Sequence, residues 1–260
     1  MIGLIVFVVI APVIIILIWR YKRKYKVELS ANYRELLQEH VAFYNKLDNT
    51  GRTRFENKIK DFLSYVRITA VNTEMTELDK LLVASSAVIP VFGFDWHYYN
   101  LSHVLLYDDT FSANDFSVTS EDRSFLGIVG TGALQRIMIL SKPALRQGFA
   151  NEISRHNTGI HEFVHLLDKA DGDIDGIPKE LLRKQYTITW IRYMSEEIEK
   201  IKEGESDINI YGATSKAEFF AVASEYFFGS PGDFKIHHPE LFDLMTKIFR
   251  QEPGDGSVHL

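Results

Sequence analysis

His161-Glu162-Phe163-Val164-His165-Leu166-Leu167-Asp168 is the stretch on which the reading of this 260-residue chain turns. Phe163, Val164, Leu166 and Leu167 lie on most sides of a 3.6-residue period, so the segment reads as a buried helix. His161 and His165 are four apart and share one face of it. Buried polar side chains need partners, and a metal ion would supply one for both imidazoles. The competing reading is a surface helix with two exposed histidines, which does not suit such apolar flanks.

The pattern is H-E-x-x-H. In it two histidines grip one zinc ion, and the glutamate stands beside the open position where a water sits. With nine histidines in the chain, chance would produce the pattern in roughly a few per cent of such sequences. Two histidines need a third protein ligand. Six residues beyond His165 stands Asp171, not a third histidine, so a more distant glutamate is expected. Ser215 to Phe228 reads as an apolar helix that ends at Gly229 and Pro231. It holds Glu218 and Glu225, seven apart and on one face. Each has a plainer reading: Ser215-x-x-Glu218 is a capping box, and Glu225 could be an ordinary hydrogen-bonded acid.

Composition narrows the alternatives. There is no cysteine, which excludes disulfides, thiolate zinc sites and a cysteine nucleophile. Residues 1–26 carry five basic side chains and no acidic one; the remainder has 24 basic against 35 acidic residues, a net of −11. An acidic body argues against nucleic acid as a partner. Ile2 to Trp19 contains no charge, and eighteen helical residues span about 27 Å, close to the hydrocarbon thickness of a bilayer. Trp19 and Tyr21 suit the interfacial aromatic belt. The basic cluster follows the apolar run, whereas a cleaved signal peptide has its charges first. The expectation is a transmembrane anchor over 1–19, a basic juxtamembrane segment over 20–28 and a peptidase domain over 29–260. The basic residues place the N-terminus outside and the body in the cytoplasm, at the inner membrane.

Helices are expected over Leu29–Leu47, broken at Asn49-Thr-Gly51, over Phe55–Val66, and over Glu77–Val88 with Thr76 as cap. His103–Tyr107 and Ile137–Leu140 read as strands, with Gly127, Gly130 and Gly132 in turns between them. Ile137–Leu140 is either an edge strand that pairs with extended substrate or an ordinary core strand. The fold class is α+β: a helical N-terminal part over about 29–95, then a catalytic part over about 96–253. The catalytic part is expected to have a small, mostly antiparallel sheet, the HEFVH helix and the glutamate helix.

In combination, HEFVHLLD (161–168), the Asp175-Gly-Ile-Pro178 turn, Trp190, Tyr211, EFFAVASEYFF (218–228) and Phe249-Arg-Gln-Glu-Pro253 resemble the Mlc titration factor A family of gluzincin-type zinc peptidases. Weaker similarity runs through residues 55–94 and Ile137–Ser141, so the resemblance covers roughly residues 40–253. It implies a zincin-like fold, zinc on His161, His165 and Glu218, and Glu162 as catalytic base. It implies an active-site role for Tyr211, seven residues before the glutamate ligand, and aminopeptidase-like activity. A founding member binds a glucose-responsive repressor, which implies a regulatory protein partner. Two departures stand out. The N-terminal anchor is foreign to the soluble pattern. Val222 occupies the place where thermolysin-like enzymes carry an aspartate that orients a histidine, so Asp168 or Glu225 must take that task.

Other features have plain readings. Asp168 is either that orienting acid or a helix-end salt bridge. Asp171, Asp173 and Asp175 alternate as in a calcium loop, but the glycine and final glutamate are misplaced, so a turn is expected. His237-His238, before Pro239, reads as a surface dipeptide, the alternative being that it lines the cleft. The sequence therefore points to a membrane-anchored zinc peptidase acting on peptide or protein substrates and touching the bilayer through residues 2–19. The alternative is a membrane-tethered regulatory binder with little turnover, which would have no need of Glu162.

Overall fold

The computed structural model describes residues 27–108, 127–129, 136–151, 154–253 and 257–258. Its helices are α1 (Tyr33–His40), α2 (Asn49–Tyr65), α3 (Glu77–Val88), α4 (Lys142–Gly148), α5 (Thr158–Asp168), α6 (Lys184–Glu203), α7 (Lys216–Gly229), α8 (Pro231–His237) and α9 (Pro239–Phe249). Its strands are β1 (Arg67–Val71), β2 (His103–Tyr107), β3 (Gly127–Val129), β4 (Ile137–Ser141), β5 (Gln251–Glu252) and β6 (Ser257–Val258). The α+β class and the two site helices are as expected.

Local chemistry sets the helix starts. Thr76 Oγ1 accepts the Asp79 N–H at 3.2 Å and Asp79 Oδ2 accepts the Thr76 N–H at 3.0 Å, a full capping box for α3. Helix α2 begins earlier than expected. Asp48 Oδ1 accepts the Gly51 N–H at 2.7 Å, so Asn49-Thr-Gly51 becomes the first turn instead of a break. The helix expected over Leu29–Leu47 contracts to α1 and a single turn, Ala42–Asn45.

The main sheet corrects an expectation. Its order is β1-β2-β4-β3, with β1 parallel to β2, β2 parallel to β4, and only β3 antiparallel to β4. It is mostly parallel, not mostly antiparallel. The reason lies in the connection: the chain between β1 and β2 contains α3, and a helical crossover returns a strand to the same direction. β4 sits between β2 and β3 and is no edge; Met138, Ile139 and Leu140 are buried. β3 is the outermost described strand on that side, packed against α5.

One hydrophobic core runs unbroken from Leu37 to Phe249, with α5 through its middle. Phe163 meets Phe62 and Tyr98 edge-on, with ring centroids at 5.6 and 5.3 Å. A Cβ on Gly159 would collide with Ser86 Oγ of α3, so the close approach of α3 and α5 requires glycine there. From Phe219 to Phe228 every residue of α7 is buried, and Phe220 and Phe227 stack on Phe249 of α9. Among the described residues no helix is long and apolar enough to cross a membrane. The anchor expected at 1–19 lies outside the described residues, as do Gly130 and Gly132.

Candidate metal centre

Two caps aim the site helices. Asn157 Oδ1 accepts the Ile160 N–H at 3.0 Å and starts α5; Ser215 Oγ accepts the Glu218 N–H at 3.1 Å and starts α7. Only half of the Ser215–Glu218 capping box is made. The Glu218 carboxylate turns away from its own helix and toward α5. Its Oε2 lies 3.0 Å from His161 Nε2 and 3.5 Å from His165 Nε2, and the two Nε2 atoms are 3.1 Å apart. These three are the group among the described residues that could hold a metal ion.

The triangle fits an ion. Four-coordinate bonds of about 2.0–2.1 Å separate ligand atoms by roughly 3.3 Å, which the three observed separations bracket. The tautomer agrees. Glu225 Oε1 lies 2.7 Å from His161 Nδ1 and, as a carboxylate, can only accept. Nδ1 therefore carries a proton, which leaves Nε2, facing His165 and Glu218, as the nitrogen that could give up its proton to a metal ion. The other Glu225 oxygen accepts the Asn157 N–H at 2.6 Å. Glu225, not Asp168, orients a site histidine. Asp168 Oδ2 instead accepts the Gly176 N–H at 2.8 Å, and the Gly176 carbonyl accepts from Trp190 Nε1 at 2.7 Å. Gly176 has φ +74°, and a Cβ there would collide with the Lys216 carbonyl, so the approach to the start of α7 requires glycine. The Asp175-Gly-Ile-Pro178 turn thus binds the end of α5 to α6 and to the start of α7.

Electrostatics follows from these contacts. Burial works to lower His161, but hydrogen bonds to Glu218 and Glu225 raise it to about 10. Burial works to raise Glu218, but its histidine partners hold it at about 2. Glu162 is 7 % exposed, and burial outweighs the attraction of His161 and His165 to raise its carboxyl. Tyr211 lies in a short 3-10 turn, Ile210–Ala213, where Asn209 Oδ1 accepts its N–H at 2.9 Å. Its half-exposed ring has its centroid 6.2 Å from that of His161. Burial and the nearby Glu218 and Glu162 carboxylates raise its phenol. His161, His165 and Glu218 thus converge, the Tyr211 ring lies beside His161, and the Glu162 carboxyl is within electrostatic reach of both histidines.

The glucose-regulated metallo-peptidase M90 family matches residues 17–250. The chain belongs to that family. The family is of the metallopeptidase type, which implies a hydrolase with a metal ion. The chain is 31% identical over 234 residues to Mlc titration factor A of Escherichia fergusonii, covering 82% of this chain and 84% of that one. The Klebsiella pneumoniae subsp. pneumoniae protein of the same name is 28% identical over 226 residues, at 80% and 82% coverage. An uncharacterized protein of Synechocystis is 28% identical over 247 residues, at 90% and 89% coverage. The resemblance read from residues 161–168 and 218–228 is borne out.

Within this M90 chain three further features settle. Lys179 Nζ lies 3.5, 3.2 and 3.5 Å from carboxylate oxygens of Asp171, Asp173 and Asp175, so an ammonium stands where a calcium ion would. His237 is exposed, but His238 is not the surface residue that was expected. It is 8 % exposed and lies between Asp207 and Glu197. No local signal marks it, because both partners come from distant elements. The sequence places the return to helix at about Asn157, but the roles of Asn157 as cap and as donor to Glu225 come only from the structure.

Proposed function

We propose that this chain is a zinc-dependent peptidase, with zinc on His161 Nε2, His165 Nε2 and Glu218 Oε2. The observation that carries the reading is the triangle of donor atoms, sized for a tetrahedral ion and oriented by Glu225. Zinc supplies a Lewis acid that brings the pKa of a water toward neutrality and polarises a carbonyl.

The residues of the chain do the rest. Glu162, buried and with a raised carboxyl, takes a proton from water as the water oxygen bonds to the scissile carbon. It returns that proton to the nitrogen as the C–N bond breaks. Tyr211 donates its O–H to the carbonyl oxygen, where negative charge develops. Glu225 keeps the His161 lone pair aimed, and the Asn157 N–H keeps Glu225 in place. Supporting the wider reading, residues 1–19 have the length and flanks of a membrane anchor. The proposed topology is N-terminus out, with the body at the cytoplasmic face of the inner membrane. The name of the relatives, Mlc titration factor A, supports a regulatory protein as a second class of partner.

The test compares full-length wild type with Glu162→Gln on small chromogenic peptides, with metal analysis in parallel. Glu162→Gln keeps shape and metal but accepts no proton, so turnover should fall roughly 10²–10⁴-fold at unchanged zinc content. A zinc-loaded Glu162→Gln protein as active as wild type refutes the mechanism. No turnover in zinc-loaded wild type favours the regulatory binder.

A further inference from the structure

A network of charged side chains outside the metal site joins five parts of the fold. Asp207 is its hub. Asp207 Oδ1 lies 2.7 Å from His238 Nε2, and Oδ2 accepts from Arg155 at 2.9 Å and from the Tyr226 hydroxyl at 2.7 Å. The other ring nitrogen of His238, Nδ1, lies 3.2 Å from Glu197 Oε1 of α6. Glu197 also accepts from Ser206 Oγ at 2.6 Å and from Lys200 at 3.1 Å. Arg155 continues to Asp233 of α8 at 3.3 Å.

Both ring nitrogens of His238 face carboxylates, which can only accept when ionised. A neutral imidazole has one N–H and would set its remaining lone pair against a carboxylate. The geometry is complete only with an imidazolium. Charge balance agrees: Glu197, Asp207 and Asp233 are matched by Lys200, Arg155 and a charged His238. His237 of α8 and the Tyr226 phenol of α7 also face the hub, and Glu240 of α9 lies near Lys200. Burial disfavours the charge on His238, but Glu197 and Asp207 outweigh it.

The hub sits where two segments that lead into the site meet. Downstream of Asp207, the buried Ile208 and the cap Asn209 lead directly to Tyr211. Through Arg155 it holds the segment that runs into Asn157, the cap of α5 and the donor to Glu225. Asn209 Nδ2 also approaches His156 Nε2 at 3.5 Å. We propose that the His238–Asp207 pair is a positioning clamp that holds the Tyr211 segment in register against the start of the His161 helix, and that it opens when His238 loses its proton. The role of Tyr211 in this statement rests on the peptidase reading; the clamp itself does not.

Hydrogen exchange of the full-length, metal-free chain tests it. In wild type, protection of residues 205–215, corrected for the intrinsic rate, should fall as the pH rises through the titration of His238. His238→Gln should exchange this segment ~10-fold faster at pH 6, lose the pH dependence, and leave α2 unchanged. Equal protection in wild type and His238→Gln overturns the clamp. If His238→Gln loosens α2 as well, Asp207→Asn decides. Loss confined to 205–215 supports the clamp; no change there, or global loss again, overturns it. In peptide kinetics His238→Gln should lower kcat with KM unchanged, and adding it to Tyr211→Phe should lower kcat no further. Additive losses overturn positioning through Tyr211. Absence of wild-type turnover would sink the peptidase reading and leave the exchange result standing.

Discussion

Glu218 and Glu225 stand on one face of α7, and exchanging their roles is the sharpest way to test the site. Glu225 makes no contact with His165 and does not belong to the donor triangle. It holds His161 Nδ1 at 2.7 Å, partly buried, and the Asn157 N–H at 2.6 Å, buried. Glu225→Ala should therefore retain zinc but bind it ~10–100-fold more weakly, as losses behind a ligand do. That range is about 1.4–2.8 kcal/mol. It also strands a buried backbone N–H, which costs about 1–3 kcal/mol in the metal-free chain. For a protein of this size the metal-free Tm should fall by roughly 2–4 °C for each kcal/mol. Glu218→Ala should instead lose most of the zinc. Its carboxylate belongs to the donor triangle, and because it also pairs with His161 and His165 in the metal-free chain, the metal-free Tm should fall as well. The assay is zinc analysis after dialysis and chelator competition, with thermal melting of the metal-free proteins. Zinc retained by Glu218→Ala and lost by Glu225→Ala would reverse the assignment. An unchanged metal-free Tm in Glu225→Ala would refute the argument from the buried contacts.

Three more outcomes are expected. Tyr211→Phe removes one donor to the developing oxyanion and should lower kcat about 10²–10³-fold with KM little changed; equal activity would leave Tyr211 as a packing aromatic. Burial works to raise Glu56, but hydrogen bonds from Arg34, Tyr33 and Tyr44 at 2.8–3.0 Å hold it at about 2, below its ordinary 4.5. Its folded pKa is depressed, so its contribution is fully present above pH 4.5 and is lost as pH falls toward 2. That contribution is roughly 1–3 kcal/mol, reduced because Arg34 is largely in water. Melting between pH 5 and 2.5 should therefore be steeper in wild type than in Glu56→Gln, and parallel curves would exclude the contribution. A C-terminal reporter after Leu260 that fluoresces only in the cytoplasm should light up, whereas activity of a periplasm-only reporter there overturns the topology.

What the sequence determined by itself is local in kind. His161, Glu162 and His165 share a face because one helical period puts them there, and their neighbours declare that helix buried. Thr76 and Ser215 mark helix starts because a hydroxyl reaches a backbone N–H three residues on. What only the tertiary structure decided involves partners far apart along the chain. Glu218 and Glu225 share a face of one helix, and no period separates a metal ligand from the acid behind a ligand. The crossing of α5 and α7 does so, bringing one carboxylate to Nε2 and the other to Nδ1 of the same ring. Strand direction was likewise beyond local pattern, since alternation in β2 or β4 is the same beside a parallel or an antiparallel neighbour; the α3 crossover chose. His238 looked like surface because its two carboxylates arrive from α6 and from the segment before Tyr211. Its burial is tolerable only because the fold delivers both.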